Sequence, residues 1–222
     1  MESLLPILVI GVIAALIGTG ILYSYYAAKK RREELMQHAE SMGLTFIPDG
    51  DADLLDRLSV FKLFNQGHSR KMKNLIQGDS GEVNIAIFDY QYTTGGGKNQ
   101  QTHLQSIVAL QSNQLVCPDF TMRPERMFDK LGSALGFQDI DFESHQMFSS
   151  SFVLQGSDEA AIRKYFDQSV LDFFSAKPGI SVEAQTGALF FYRARQRIQP
   201  REIKDNLAQA YEVFGMMVDR SE

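Results

Sequence analysis

Residues 83–110 read VNIAIFDYQYTTGGGKNQQTHLQSIVAL, and this stretch decides the fold. Two extended runs flank a polar, glycine-rich segment, which is typical of two strands joined by a turn. The stretch therefore predicts a long antiparallel hairpin that is apolar at its base and polar at its tip. The predicted register pairs Thr94 with Gln101, Tyr92 with His103, Asp89 with Ser106, Ile87 with Val108 and Ile85 with Leu110.

Shorter elements are predicted on both sides of this hairpin. Strands are expected at Leu44–Ile47, Leu115–Met122, Ile180–Gln185 and Ala188–Ile198, and helices at Pro124–Gly136 and after Pro200. The fold class is therefore α+β, an N-terminal transmembrane helix followed by a soluble mixed body of antiparallel sheet and helices. A boundary near residue 124 divides this body into a first half, 44–123, which contains the hairpin, and a second half, 124–222, which ends in a helix.

The N-terminal segment 1–28 has the properties of a membrane anchor. Leu4 to Tyr23 carries no charge, and a helix of this length rises roughly 30 Å, the thickness of a bilayer core. A cleaved signal peptide would have a basic start, whereas Glu2 is acidic. Small residues share one face of this helix and favour close approach of a second copy, although such residues are common in membrane helices. This face, on which a homodimer could form, consists of Gly11, Ala15 and Gly18.

A basic collar follows the anchor within the juxtamembrane helix 29–43. Its four cations are expected to contact lipid headgroups, and they place the N-terminus outside and residues 29–222 in the cytoplasm, at the inner (plasma) membrane. These four collar residues are Lys29, Lys30, Arg31 and Arg32.

The charge of the remaining body excludes one class of partner. The chain has a formal net charge of −5, although it includes the four collar cations. An acidic body lacks the basic surface that nucleic-acid binding requires, so no nucleic-acid partner is predicted. A single cysteine cannot form an intramolecular disulfide, which agrees with a reducing compartment.

Two groups of residues are candidate binding surfaces for a ligand or a partner. Strand periodicity places Arg193, Arg195 and Arg197 on one face, where a row of guanidinium groups suits carboxylates or phosphates. A solvated face paired with nearby acids such as Glu183 is the alternative. The second surface is the tip of the hairpin, where aromatic and cationic side chains could be contact anchors for a partner. An ordinary solvated hairpin is the alternative. The residues of this second surface are Tyr90, Tyr92, Lys98 and His103.

No catalytic residue, metal site or cofactor is predicted. The sequence Gly95-Gly96-Gly97-Lys98 lacks the Ser or Thr of a phosphate loop, and the element after it is a strand rather than a helix. The acidic run from Asp49 to Asp53 lacks the Gly and Glu that a calcium loop requires. The histidines show no metal-ligand spacing.

Several segments resemble a family of uncharacterised bacterial single-pass membrane-anchored proteins. The segments are FDYQYTTGGGK (Phe88 to Lys98), PDFTMRPE (Pro118 to Glu125) and DIDF (Asp139 to Phe142). The family has no assigned function, so the resemblance implies an anchored α+β protein and assigns no role to any residue.

The sequence thus favours a membrane-anchored cytoplasmic interaction or scaffolding module that binds a protein partner. The alternative is a membrane-tethered ligand-binding or enzymatic domain that uses the glycine-rich hairpin tip or the arginine row. Thermal stabilisation by a ligand would distinguish these two hypotheses.

Overall fold

A computed structural model describes residues 4–125 and 139–218. Its first element is one unbroken helix, α1, from Leu4 to Ser41. Among the described side chains of 8–23, the apolar residues of α1 are exposed, with Leu8 and Ile10 at 65% and 67%. With a mean hydropathy of 2.0 over its most apolar window, the helix is long and apolar enough to cross a membrane. An α+β fold with a candidate membrane span is therefore confirmed.

The described residues of the body form one eight-stranded sheet, and every strand in it pairs antiparallel to its neighbours. The strand order is β1-β2-β3-β4-β8-β7-β5-β6. The strands are β1 (Thr45–Ile47), β2 (His68–Ser80), β3 (Val83–Thr94), β4 (Gln101–Gln111), β5 (Phe120–Pro124), β6 (Phe152–Gly156), β7 (Ser181–Gln185) and β8 (Ala188–Tyr192).

The predicted hairpin register is confirmed at every pair. β3 and β4 align Thr94 with Gln101, and all four further pairs follow. A short 3-10 turn, Gly97–Asn99, closes the tip. β2 pairs with the other edge of β3, so three long strands lie side by side, and the short β1 lies outside them at the edge of the sheet.

The predicted halves 44–123 and 124–222 contribute to the same sheet. β4 pairs with β8, and β5 lies between β7 and β6. The strand predicted at Leu115–Met122 begins later, at Phe120, and runs to Pro124. The rest of the helix predicted from Pro124 to Gly136 lies outside the described residues.

Apolar side chains fill both faces of the sheet, as strand alternation requires. On one face, which we call the helical face, Ile87, Val108 and Phe191 pack under helices and under Leu35 and Ala39 of α1. The helices of this face are α3 (Gln146–Ser149), α4 (Glu159–Tyr165), α5 (Gln168–Ser175) and α6 (Ile203–Val218), the last preceded by a 3-10 turn, Pro200–Glu202.

The opposite face, which we call the covered face, lies under residues 52–65. This segment comprises α2 (Ala52–Arg57) and two 3-10 turns, Leu58–Val60 and Lys62–Asn65. Phe64 is fully buried, and its ring lies 5.1 Å from the rings of Tyr90 and Phe190. Aromatic packing of this kind makes the covered face part of the core.

Candidate juxtamembrane site

The guanidinium of Arg31 joins α1 to the sheet. Its Nε and Nη2 donate to the two carboxylate oxygens of Asp89 at 2.9 and 2.7 Å, and Nη1 donates to the carbonyl of Ile198 at 2.9 Å. The Arg31 and Asp89 side chains are only 12% and 9% exposed. Two parallel N–H bonds to one carboxylate define orientation as well as distance. The pair therefore holds α1 at one rotation against β3.

Asp89 is the acceptor at the centre of this network. Asn74 Nδ2 and Ser106 Oγ also donate to its carboxylate, at 2.9 and 2.6 Å. Burial alone would raise the pKa of Asp89, but the hydrogen bonds and positive charge of Arg31 and the bonds from the two neutral donors lower it below its ordinary value. The carboxylate is consequently ionised at neutral pH, opposite an ionised guanidinium.

Arg31 is therefore not an open lipid contact, although the sequence predicts one. The other three collar cations, Lys29, Lys30 and Arg32, are exposed. Lys29 and Lys30 lie 3.9 and 3.8 Å from glutamates one helical turn later, and the Arg32 guanidinium lies 3.7 Å from Asp49. Exposed pairs at such distances contribute little stability, which leaves these three cations available for other anions.

The prediction that Arg193, Arg195 and Arg197 share one face of a strand is wrong. β8 ends at Tyr192, and the chain then turns, with Gln196 N donating to the carbonyl of Arg193 at 3.1 Å. Arg195 has a φ of +62°, a left-handed conformation that breaks strand alternation.

The three arginines consequently have different surroundings. Arg193 donates from Nη1 to Asn206 and from Nη2 to Gln209, at 3.0 and 2.9 Å, and so binds α6. Arg195 and Arg197 are exposed. Among residues 4–125 and 139–218, the Arg197 side chain makes no hydrogen bond or ion pair. Glu183, the acid suggested as a partner, contacts none of the three.

The predicted contact anchors at the hairpin tip are mostly buried. Tyr90, Tyr92 and His103 are 0%, 3% and 2% exposed, because residues 52–65 and the neighbouring strands cover them. Their rings form a stack with centroid distances of 5.5 and 4.7 Å. Burial raises the pKa of both tyrosines, and burial together with the Arg195 charge lowers the pKa of His103. Of the predicted tip residues, Lys98 alone is exposed.

The structure instead brings the collar and the end of the arginine row together. A groove of about 600 Å³ lies between α1 and the loop before α6, and we call it the juxtamembrane groove. Arg31 Nη1 bridges its two walls through the carbonyl of Ile198. The α1 wall consists of Ala27, Lys30, Arg31, Glu34, Gln37 and His38, and the opposite wall of Arg197, Gln199, Pro200 and Arg201.

Glu183 is a buried acid whose role the sequence did not predict. It lies on the covered face and is 6% exposed, and its carboxylate accepts from the backbone N–H groups of Lys62 and Leu63 at 2.7 and 2.9 Å. Burial raises its pKa to about 7 despite these hydrogen bonds. The strand alternates polar and apolar residues, with Val182 and Ala184 on either side of Glu183, so the local pattern indicates a solvated Glu183 and gives no signal of its burial.

No family model matches the chain, and no curated protein matches it. Among solved structures, it is similar to the crystal structure of the mycobacterial trehalose monomycolate transport factor A, TtfA. The TM-score is 0.62 at 12% sequence identity, over 85% of this chain and 93% of that chain. This likeness shows a shared fold. It transfers no function by itself, because one fold serves many functions.

Proposed function

We propose that this protein is a membrane-anchored accessory protein whose cytoplasmic body acts as an interaction or scaffolding module. The observation that carries the proposal is the bidentate pair between Arg31 and Asp89. Because α1 is unbroken from the apolar segment to the sheet, this pair transmits the orientation of the anchor to the body. A flexible tether would hold the body near the membrane, whereas this connection also presents defined surfaces relative to it.

The collar supports the cytoplasmic orientation. Positively charged residues beside a span are retained on the cytoplasmic side, and the chain carries four of them immediately after α1 leaves its apolar part. The N-terminus would then face outward across the plasma membrane.

The likeness in fold to the solved structure supports the same proposal by analogy. The similar solved protein is described as a transport factor, and we infer by analogy that this chain assists an assembly in its membrane. A second copy of the chain is one possible component. Gly11 and Gly18 have no other described part of the chain within contact distance, so homodimerisation through the face formed by Gly11, Ala15 and Gly18 stays a prediction.

The alternative, a tethered ligand-binding or enzymatic domain at the hairpin tip or the arginine row, has less support. Tyr90, Tyr92 and His103 are buried in the core, and Arg193 is bonded to α6. The one cysteine, Cys117, is buried, and burial raises the pKa of its thiol to about 12, so it is protonated at neutral pH.

Quantitative affinity purification of the tagged full-length protein from native membranes in mild detergent tests the proposal. We expect a partner at near-stoichiometric amounts that is retained when residues 4–23 are replaced by an unrelated apolar span of equal length. An Arg31→Ala variant should capture less of it, while Arg32→Ala, an exposed neighbour, should capture the wild-type amount. Absence of any such partner, together with turnover of a small molecule by the folded protein, would contradict the proposal.

A further inference from the structure

We propose that the juxtamembrane groove binds the phosphate headgroup of an anionic phospholipid in the adjoining bilayer leaflet. The site is independent of any protein partner and extends the predicted contacts of the collar to a defined pocket. Four observations support it: the position of the groove along α1, the cations in its walls, the guanidinium of Arg197 that no described residue pairs, and a shape that is formed before a ligand binds.

The groove begins at the depth where lipid headgroups lie. Ala27 and Lys30, on its α1 wall, follow Tyr23 by four and seven residues in an unbroken helix. At ~1.5 Å per residue they stand about 6 and 10 Å beyond the apolar segment. The headgroup layer on each side of a bilayer core is roughly 5–8 Å thick. The Ala27 end of the groove therefore lies at the level of the phosphates of the leaflet, and Lys30 lies just beyond them, within reach of its long side chain.

The charge of the groove favours an anion. Its walls contain the cations Lys30, Arg31, Arg197 and Arg201 and one acid, Glu34. Because Arg31 is matched by Asp89, the charge presented to a ligand comes from the other three cations. These three come from two distant parts of the chain, so the site exists only in the folded protein.

The exposed cations of the groove form only weak ion pairs, or none, with described residues of the protein. Arg197 makes no hydrogen bond or ion pair with any described residue. Lys30 lies 3.8 Å from Glu34 and Arg201 lies 3.8 Å from Glu202, and the two basic side chains are 78% and 83% exposed. Such long, solvated pairs exchange readily for a phosphate, to which a guanidinium can donate two parallel hydrogen bonds.

The buried pair of Arg31 preforms the groove. By donating to the carbonyl of Ile198, Arg31 holds the loop that carries Arg197 against α1. Ser106 Oγ accepts from Ile198 N at 3.0 Å, and Ser106 N donates to the carbonyl of Gln196 at 3.0 Å, so the same loop is also bonded to β4. A site that is already ordered loses little entropy on binding. Its volume of about 600 Å³ lies in the range of small-molecule sites.

Charge-matched variants test the site in the full-length protein. The groove variant is Lys30→Gln/Arg197→Gln/Arg201→Gln. The control variant is Lys71→Gln/Lys164→Gln/Arg195→Gln, which removes the same charge from exposed side chains outside both the groove and the collar. Native mass spectrometry in a neutral detergent then measures binding of phosphatidylglycerol and of phosphatidylcholine with identical acyl chains.

We expect the wild-type protein to bind one phosphatidylglycerol saturably and at least tenfold more tightly than phosphatidylcholine. Each cation near an anionic lipid surface contributes roughly fivefold in affinity, so the groove variant should bind phosphatidylglycerol on the order of 100-fold more weakly. The control variant should stay within about threefold of wild type. Both variants should keep the wild-type thermal unfolding temperature to within a few degrees, because all six side chains are exposed.

Three outcomes would overturn the proposal. Equal binding of the two lipids would show that the headgroup charge is not recognised. Equal losses in the two variants would show a diffuse effect of positive charge and no defined site. Competition by soluble glycerol phosphate at the same concentration as the lipid would identify a free phosphate ester as the ligand instead.

Discussion

Arg31 and Asp89 are separated by 58 positions in the chain and form a two-point ion pair of 2.9 and 2.7 Å at the middle of the hairpin. Arg31 belongs to a run of four cations whose sequence context indicates a lipid-facing collar. In the structure this one cation is largely buried, because α1 rests on the sheet with the Arg31 side chain directed at Asp89. One residue of a surface motif thus becomes the connection between anchor and body.

Removal of either partner should destabilise the body strongly. Arg31→Ala or Asp89→Ala leaves a buried charge without its partner, and each should lower the free energy of unfolding by about 3–5 kcal/mol. The double variant should lose at least 2 kcal/mol less than the sum of the two, because neither charge remains unpaired. Denaturant unfolding of the full-length protein in detergent measures these values. Arg32→Ala is the matched control and should lie within about 1 kcal/mol of wild type.

The register of the hairpin could be predicted because two local signals agree. A glycine-rich turn defines where the strands meet, and a period of two defines which residues face each other. Ile87 and Val108 could therefore be paired from the sequence alone. The end of a strand is different, since periodicity carries no information about where its partner stops bonding.

The arginine row shows this limit. Alternation continues to Arg197, but β4 uses a side chain, Gln105 Oε1, to accept from Arg195 N at 3.1 Å, in place of a ladder bond. The strand itself, β8, has already ended at Tyr192. This exchange depends on a residue about 90 positions away, so no local pattern contains it.

Burial of Tyr90, Tyr92 and His103 was equally invisible in the local sequence. Phe88, Tyr90 and Tyr92 are spaced two residues apart, which indicates that they share one aromatic face. The segment that covers this face, however, comes from residues 52–65. The juxtamembrane groove was also invisible in the local sequence, because Arg31 and Ile198, which bridge its walls, are 167 positions apart.

The glycines at the tip should differ in tolerance to alanine. Gly95 has a φ of +75°, and a Cβ there would lie 2.3 Å from the carbonyl oxygen of Asn99. Gly95→Ala should therefore cost at least about 2 kcal/mol in unfolding free energy, from left-handed strain and a backbone shift. Gly96 is extended, and a Cβ there meets nothing within 4 Å, so Gly96→Ala should stay within about 0.5 kcal/mol. Equal effects in the two variants, measured by denaturant unfolding, would contradict the turn geometry.

Glu183 should make stability fall as pH rises from about 4.5 to 7. Its folded pKa of about 7 exceeds the ordinary value of 4.5, so the folded state holds the proton more tightly than the unfolded state. This contribution is fully present below pH 4.5, declines through the interval and is lost above pH 7. Its size is up to about 3 kcal/mol, and unfolding free energies measured at half-unit steps of pH should show it.

The matched variant for this prediction is Glu183→Gln. Gln cannot titrate, and its amide oxygen can accept from only one of the two N–H groups, of Lys62 or Leu63, that the carboxylate satisfies. The variant therefore carries a constant loss of stability. The pH-dependent part is the difference between the two proteins, which should decrease from pH 4.5 to 7 and then stay level. Asp139, whose pKa burial raises to about 6, titrates in the same interval and cancels in this difference because both proteins contain it. A difference that does not change with pH would show that Glu183 titrates near its ordinary value in the folded protein.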